Sequence, residues 1–261
     1  MIDASVWPRT LFIVRHGESA GNVARDEANA AREAVIRTSS SRDVDVPLSP
    51  LGEHQATALG HWFGALPQDQ RPTVVMTSPY VRARQTTAII KSLGDFPYTS
   101  DAASLVVDER FREKEFGVLD GLTRYGILER FPEQAALRTS LGKFYHRPPG
   151  GESWCDVILR LRSAFEMMCR EYHGERILVV AHSVVVLCMR YIVESLTEEE
   201  ILKIDRENEV ANCSVTRFDV DRSQEPVGKL ILDSFNFVAP LIAEGTRVTS
   251  TPDLPPVSRT S

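Results

Sequence analysis

The sequence predicts an α/β fold in three layers, with helices covering both faces of a mostly parallel central sheet. Three observations point there. Short apolar, β-branched runs alternate with longer amphipathic or Ala- and charge-rich segments, the pattern of strands joined by helical crossovers. Three of the strand-like runs stop at a polar pair: Arg15-His16, Thr77-Ser78 and His182-Ser183. Ligands of open sheets bind just beyond the carboxyl ends of the strands, so these three ends are expected to converge on one site. No Pro/Gly/Ser-rich linker divides the first 240 residues of the 261, which predicts a single domain over residues 1–245.

Taken in order, residues 10–15 (TLFIVR) read as a buried strand. Residues 23–37 are Ala- and charge-rich and predict a helix, and the polar cluster 38–43 (TSSSRD) predicts a loop. Together residues 23–43 form an insertion that is either a lid or surface padding. Ser49-Pro50 opens a helix to about Phe63, with Ser as cap, Pro in the first turn and Glu53 near the positive end of the dipole. A strand over 72–77 and a helix over 79–93 follow, then a short strand over 105–107, a structured loop to Tyr125 and two weaker helices over 122–130 and 133–139. Trp154, Val157, Ile158, Leu161, Phe165 and Met168 recur at spacings of three and four, marking an amphipathic helix over 153–172. A nearly continuous apolar strand (176–181), a buried helix (184–194) and two final strands (214–219, 229–235) complete the fold. Residues 246–261, rich in Pro, Ser and Thr, predict a disordered tail.

With 36 acidic and 30 basic side chains the net charge is −6. That balance argues against a nucleic-acid or anionic-lipid surface, so an anionic ligand must be held by a local basic cluster. The longest apolar stretch, residues 177–189, is broken by His182 and Ser183 and is shorter than a spanning helix needs. The first ten residues lack the pattern of a secretory signal. Cys155, Cys169, Cys188 and Cys213 stand singly, without Cys-x-x-Cys spacing, and predict reduced thiols in a cytoplasmic protein with no metal site.

The segment Arg15-His16-Gly17-Glu18-Ser19, followed by Gly21-Asn22, carries the chemistry. A cation beside an imidazole at a strand end, with backbone N–H groups following, suits an oxyanion. Alone, such a histidine is more often a structural, hydrogen-bonded residue. Its companions are Arg82 and Arg84 on the first turns of a helix, either of which could simply be solvated, and His182, polar where an apolar strand would otherwise stay buried.

These motifs, in this order, resemble the histidine phosphatase superfamily, the phosphoglycerate mutase-like family. Its Arg-His-Gly matches Arg15-His16-Gly17, with Asn22 as the asparagine that follows. Its Pro-Leu-(Ser/Thr)-x-x-Gly matches Pro47 to Gly52, and its Ser-x-x-x-Arg-Ala-x-Gln-Thr matches Ser78 to Thr86. Its Glu-x-x-(Phe/Tyr)-Gly matches Glu113 to Gly117, and its second histidine matches His182, where Ser183 replaces the usual Gly. The resemblance covers roughly residues 10–220. It implies a phosphoglycerate mutase-like fold. It also implies that Arg82, not Arg84, is the phosphate arginine, and that Glu113, not Glu109 or Glu115, is the acid.

It further implies the chemistry. Neutral His16 attacks phosphorus and becomes a phosphohistidine. Arg15, Arg82, His182 and Asn22, with Ser183 at the position of the usual Gly, surround the phosphoryl oxygens, and Glu113 protonates the leaving group. No metal or other cofactor is called for. The substrate is a small phosphorylated metabolite, a sugar phosphate among the candidates. Hydrolysis is the leading expectation, with mutase-type transfer back to the substrate or an inactive phospho-ligand module as alternatives. Arg-x-Pro-x-Gly-Glu-Ser at Arg147 to Ser153 resembles the bisphosphatase branch, which makes Lys143, Tyr145 and Arg147 candidates for gripping the far end of the substrate; the other reading of that segment is a loop leading into a capped helix.

Overall fold

Leu11 and Ile13 alternate with Phe12 and Val14 along the first strand, and all four are buried, so this strand needs cover on both faces. The computed structural model, which describes residues 7–97, 105–221 and 229–250, supplies it. Strands β1 (Thr10–Arg15), β2 (Val74–Thr77), β3 (Val106–Val107), β4 (Arg176–Ala181), β5 (Val215–Asp221) and β6 (Lys229–Phe237) form one sheet in the order β3-β2-β4-β1-β5-β6. β1 to β4 are parallel, and β5 runs antiparallel to both its neighbours.

The helices are α1 (Ala20–Ala30), α2 (Pro50–Ala65), α3 (Val81–Leu93), α4 (Arg124–Arg130), α5 (Pro132–Tyr145), α6 (Trp154–Glu171), α7 (Ser183–Glu194), α8 (Glu198–Glu207) and α9 (Ala239–Ala243). On one face Phe12, Val14, Leu178 and Val180 meet Leu59, Phe63 and Ile90 of α2 and α3. On the other, Leu11, Ile13, Ile177 and Val179 meet Trp154, Leu161 and Val185 of α6 and α7. The three-layer α/β fold with a mostly parallel sheet is the one the sequence predicts.

Several boundaries differ for identifiable reasons. α1 starts at Ala20 because Ser19 and Asn22 form a capping box, and it stops at Ala30 rather than 37. Arg32 there adopts a left-handed conformation, φ 56°, and the chain leaves the helix to lay Val35 and Ile36 beside Gly121 and Leu122. Val35 thereby joins a small apolar cluster with Leu119, Leu122 and Ile127, which fastens the inserted segment to the loop after β3. α5 extends to Tyr145 but is interrupted at Gly142, φ 78°. α8 has no counterpart in the sequence expectations, although Thr197 and Glu200 form its capping box. Within the expected tail, residues 247–250 are held in place. Gln55 donates to the Arg247 carbonyl and to Thr249 Oγ1, and Asn212 N–H donates to the Thr249 carbonyl. Residues 251–261 lie outside the described residues.

Candidate active site

β1, β2 and β4 end level with one another: His16 N–H donates to the Ala181 carbonyl and Ser78 N–H to the Val180 carbonyl. The loop leaving β1 is pressed against the start of α2. A Cβ on Gly17 would lie 2.5 Å from the Gly52 carbonyl oxygen, and one on Gly52 would lie 2.0 Å from the Glu18 carbonyl oxygen. Only glycine fits at either position. Thr86 Oγ1 accepts the Gly17 N–H at 3.0 Å, which ties the same loop to α3.

This scaffold fixes His16 in one tautomer. Its Nδ1 is 2.7 Å from the Gly17 carbonyl oxygen, which can only accept, so Nδ1 carries the proton. Nε2, which then carries the ring's one lone pair, accepts from Arg82 Nε at 3.2 Å, and His16 lines the cavity. Burial, with Arg82 and Arg15 adding positive potential, holds the imidazole well below its ordinary pKa, so it stays neutral. His182 is fully buried, its ring centroid 5.1 Å from that of His16. Ser78 Oγ accepts from Tyr80 N–H and has its own proton to donate to His182 Nε2, 2.8 Å away. The ring proton then sits on Nδ1, a buried atom without a hydrogen-bond partner among the described residues. Burial and Arg82 hold this histidine's pKa well below its ordinary value too. At 3.7 Å from Glu113 Oε2 the neutral ring makes no ion pair.

Arg15 is buried at the same strand end. One of its terminal nitrogens donates to the Val210 carbonyl at 2.5 Å, and its Nε has no partner among the described residues. Burial pulls its pKa down to about 10, still a full charge at neutral pH. Asn22 spends its side-chain oxygen on Ser19 N–H and Oγ–H, which leaves the amide nitrogen as its donor. Glu113 lies between β3 and α4, its side chain 15% exposed, with one oxygen accepting Lys114 N–H. Ser183 is the first residue of α7, where backbone N–H groups lack intrahelical partners.

Arg15, His16, Asn22, Arg82, Glu113 and Ser183 line one cavity of about 260 Å³, with His182 behind them against His16. Lys143, Tyr145 and Arg147 do not line it. Lys143 is bound to both oxygens of Asp205, at 2.9 and 2.8 Å, Tyr145 is 54% exposed and hydrogen-bonded to Glu198, and Arg147 forks onto Asp156. That segment is a loop leading into α6, capped by Ser153 and Asp156. Arg84 is exposed. Glu115 takes the Tyr80 hydroxyl and is not part of the cavity wall.

The cavity also holds residues that sequence reasoning passed over. Arg25 lines it, three positions after Asn22 on α1; that spacing was the available signal, because residues three apart share a helix face. Asp43 forks onto Arg82, with Nη1 to Oδ1 at 3.1 Å and Nη2 to Oδ2 at 2.9 Å, and its carbonyl accepts from Nη1 at 2.7 Å. Asp120 lines the same wall. Among the described residues no group of three or more His, Cys, Asp and Glu side chains could hold a metal ion, and no helix is long and apolar enough to cross a membrane.

The family model for the histidine phosphatase superfamily (branch 1) matches residues 11–231. A 6-phosphofructo-2-kinase/fructose-2,6-bisphosphatase of Caenorhabditis elegans is 31% identical over 190 residues, 72% of this chain but only 35% of that protein. A 2,3-bisphosphoglycerate-dependent phosphoglycerate mutase 2 of Gloeobacter violaceus is 28% identical over 199 residues, 76% of this chain and 81% of the relative. The native structure of a mycobacterial glucosyl-3-phosphoglycerate phosphatase superposes with a TM-score of 0.66 at 24% identity, covering 88% of this chain and 99% of the other, a likeness of fold.

Proposed function

Since the chain belongs to the histidine phosphatase superfamily (branch 1), we propose that it is a metal-independent phosphomonoesterase acting on a small phosphorylated metabolite through a phosphohistidine. The observation that carries this reading is the His16 tautomer: Nδ1–H is committed to the Gly17 carbonyl, which leaves the ring's lone pair on Nε2, where the Arg82 Nε–H now meets it and must give way to phosphorus. The Nε2 lone pair forms the N–P bond as the P–O ester bond breaks, and its electron pair leaves with the alkoxide oxygen, which takes a proton from Glu113. Water then attacks phosphorus and gives a proton to Glu113 carboxylate, and the N–P electrons return to Nε2. Arg15, Arg82, Asn22 and His182 Nδ1–H donate to the equatorial oxygens, where charge builds up in the transition state. The fructose-2,6-bisphosphatase name of the Caenorhabditis elegans relative supports hydrolysis, and the Gloeobacter violaceus mutase keeps transfer as the alternative.

A panel of phosphorylated metabolites, read for released phosphate and in parallel for transfer to a second hydroxyl of the same molecule, separates hydrolysis from mutase chemistry. Released phosphate, unaffected by EDTA, is the expected result. His16→Ala is expected to abolish both turnover and acid-labile covalent labelling by phosphate. Activity near wild type in that variant, or loss with EDTA restored by a divalent cation, would overturn the mechanism.

A further inference from the structure

Arg25 is a charged group in the cavity wall for which the phosphoryl chemistry has no use. Its Nε is buried and has no hydrogen-bond partner among the described residues, although a buried N–H of a charged group left unpaired is costly. The other cavity arginines are engaged: Arg82 with Asp43, Arg42 with Asp45, and Arg15 with the Val210 carbonyl. Arg25 stands one helical turn beyond Asn22, a displacement of roughly 4.5 Å along the α1 axis, and its charge is felt at both His16 and Arg15. Besides Glu113, two carboxylates line the cavity. Asp43 is held by Arg82 through both of its oxygens. Asp120 accepts the Gly121 N–H, and burial raises its pKa above the ordinary carboxylate value, so it holds its negative charge less firmly. Hydroxyl groups of Thr38, Ser40 and Ser41 complete the surroundings. The wall is polar, and Arg25 differs from Arg15, whose Nε is unpaired too but whose terminal nitrogen is anchored on the Val210 carbonyl.

We infer that Arg25 selects substrates carrying a second anionic group, a carboxylate or a second phosphate, placed about one helical turn from the phosphoryl group at His16. This rests on the phosphomonoesterase reading and extends it to the substrate class. A planar guanidinium grips either anion, and that binding energy is realised only with doubly anionic substrates.

Matched pairs that differ only in the second anion test it. 3-Phosphoglycerate against glycerol 3-phosphate replaces a carboxylate by a hydroxymethyl group, and fructose 1,6-bisphosphate against fructose 6-phosphate replaces a phosphate by a hydroxyl. The wild type is expected to prefer the doubly anionic member of at least one pair by about tenfold or more in kcat/KM, and the pair that responds tells carboxylate from phosphate. Arg25→Gln is expected to collapse that ratio to below about threefold. Because the readout is a ratio, a variant that merely lowers all activity does not count in favour. No preference in wild type for either pair, or an unchanged ratio in Arg25→Gln, overturns the inference. If 4-nitrophenyl phosphate and all four metabolites resist hydrolysis, the phosphomonoesterase reading fails instead. Calorimetric titration of the same pairs onto wild type and Arg25→Gln then decides the anion site by affinity alone.

Discussion

Arg15 and Arg147 each belong to a short motif that reads as a phosphate grip, and their surroundings in the fold are opposite. Arg15 is buried at the end of β1, held by a backbone carbonyl that carries no net charge, with its Nε unspent. Arg147 has a side chain 61% exposed and forks onto a carboxylate nine residues away. A backbone carbonyl positions a guanidinium without cancelling its charge, whereas a carboxylate does both. The first leaves a cation poised for an anionic ligand; the second leaves a local ion pair. Asp43 on Arg82 falls between the two, a carboxylate on a phosphate arginine, but one carried by the inserted segment and not by the sheet.

Glu113 offers the largest test of this contrast, because Glu113 and Glu115 sit two residues apart, one in the cavity and one tied to Tyr80 and Arg112 outside it. Glu113→Gln is expected to lower kcat for an alkyl phosphate by about 10²–10⁴-fold, the usual reach of general acid catalysis, and to affect 4-nitrophenyl phosphate much less because that leaving group needs no proton. Glu115→Gln is expected to alter both by less than about threefold. An equal loss for both leaving groups in Glu113→Gln, or a larger loss in Glu115→Gln, would move the acid elsewhere.

A smaller effect of opposite sign is expected from Asp43→Asn. The carboxylate occupies the fork of Arg82 with both oxygens, the arrangement a phosphoryl group would need, so ligand binding must first break that pair. Asparagine offers one neutral oxygen instead of two anionic ones. The affinity for inorganic phosphate or vanadate is expected to rise by about tenfold, or ~1.4 kcal/mol, measured as a lower inhibition constant against 4-nitrophenyl phosphate. Unchanged or weaker inhibition would show that Asp43 does not compete for Arg82.

The parts legible in the sequence are those fixed by short-range constraints. The strand ends and the spacing of Arg82 after Ser78 are written within a few residues, and they position His16, Arg82 and His182; the close approach of Gly17 and Gly52, 35 residues apart in the chain, is visible only in the fold. Some of what escaped was local, such as the capping box of α8 and the place of Arg25 on α1, but the rest depends on partners distant in the chain. Lys143 is neutralised by Asp205, 62 residues on, and Arg82 meets Asp43, 39 residues back. Neither pairing has a local signature. The early end of α1 depends on the left-handed Arg32 and on Val35 finding the apolar cluster near Leu122, so helix propensity over 23–37 was overridden by tertiary contact. The ordering of residues 247–250 by Gln55 and Asn212 is equally non-local.

The smallest expected effect belongs to Arg147→Ala. Its guanidinium is mostly in water and its ion pair with Asp156 is screened, so the pair is worth no more than about 0.5 kcal/mol. Asp156 has a second role, because its carboxylate also accepts Ser153 N–H and Oγ–H in the capping box of α6. Losing that cap costs about 1 kcal/mol. Urea unfolding is therefore expected to show Asp156→Ala less stable than Arg147→Ala, with Arg147→Ala close to wild type. In kinetics Arg147→Ala is expected to leave kcat/KM within about twofold for singly and doubly anionic substrates alike, in contrast to the ratio change expected of Arg25→Gln. A selective tenfold loss on the doubly anionic member of a pair would reverse the comparison: Arg147 would have to leave Asp156 and reach the substrate, and residues 143–153 would be a binding element after all.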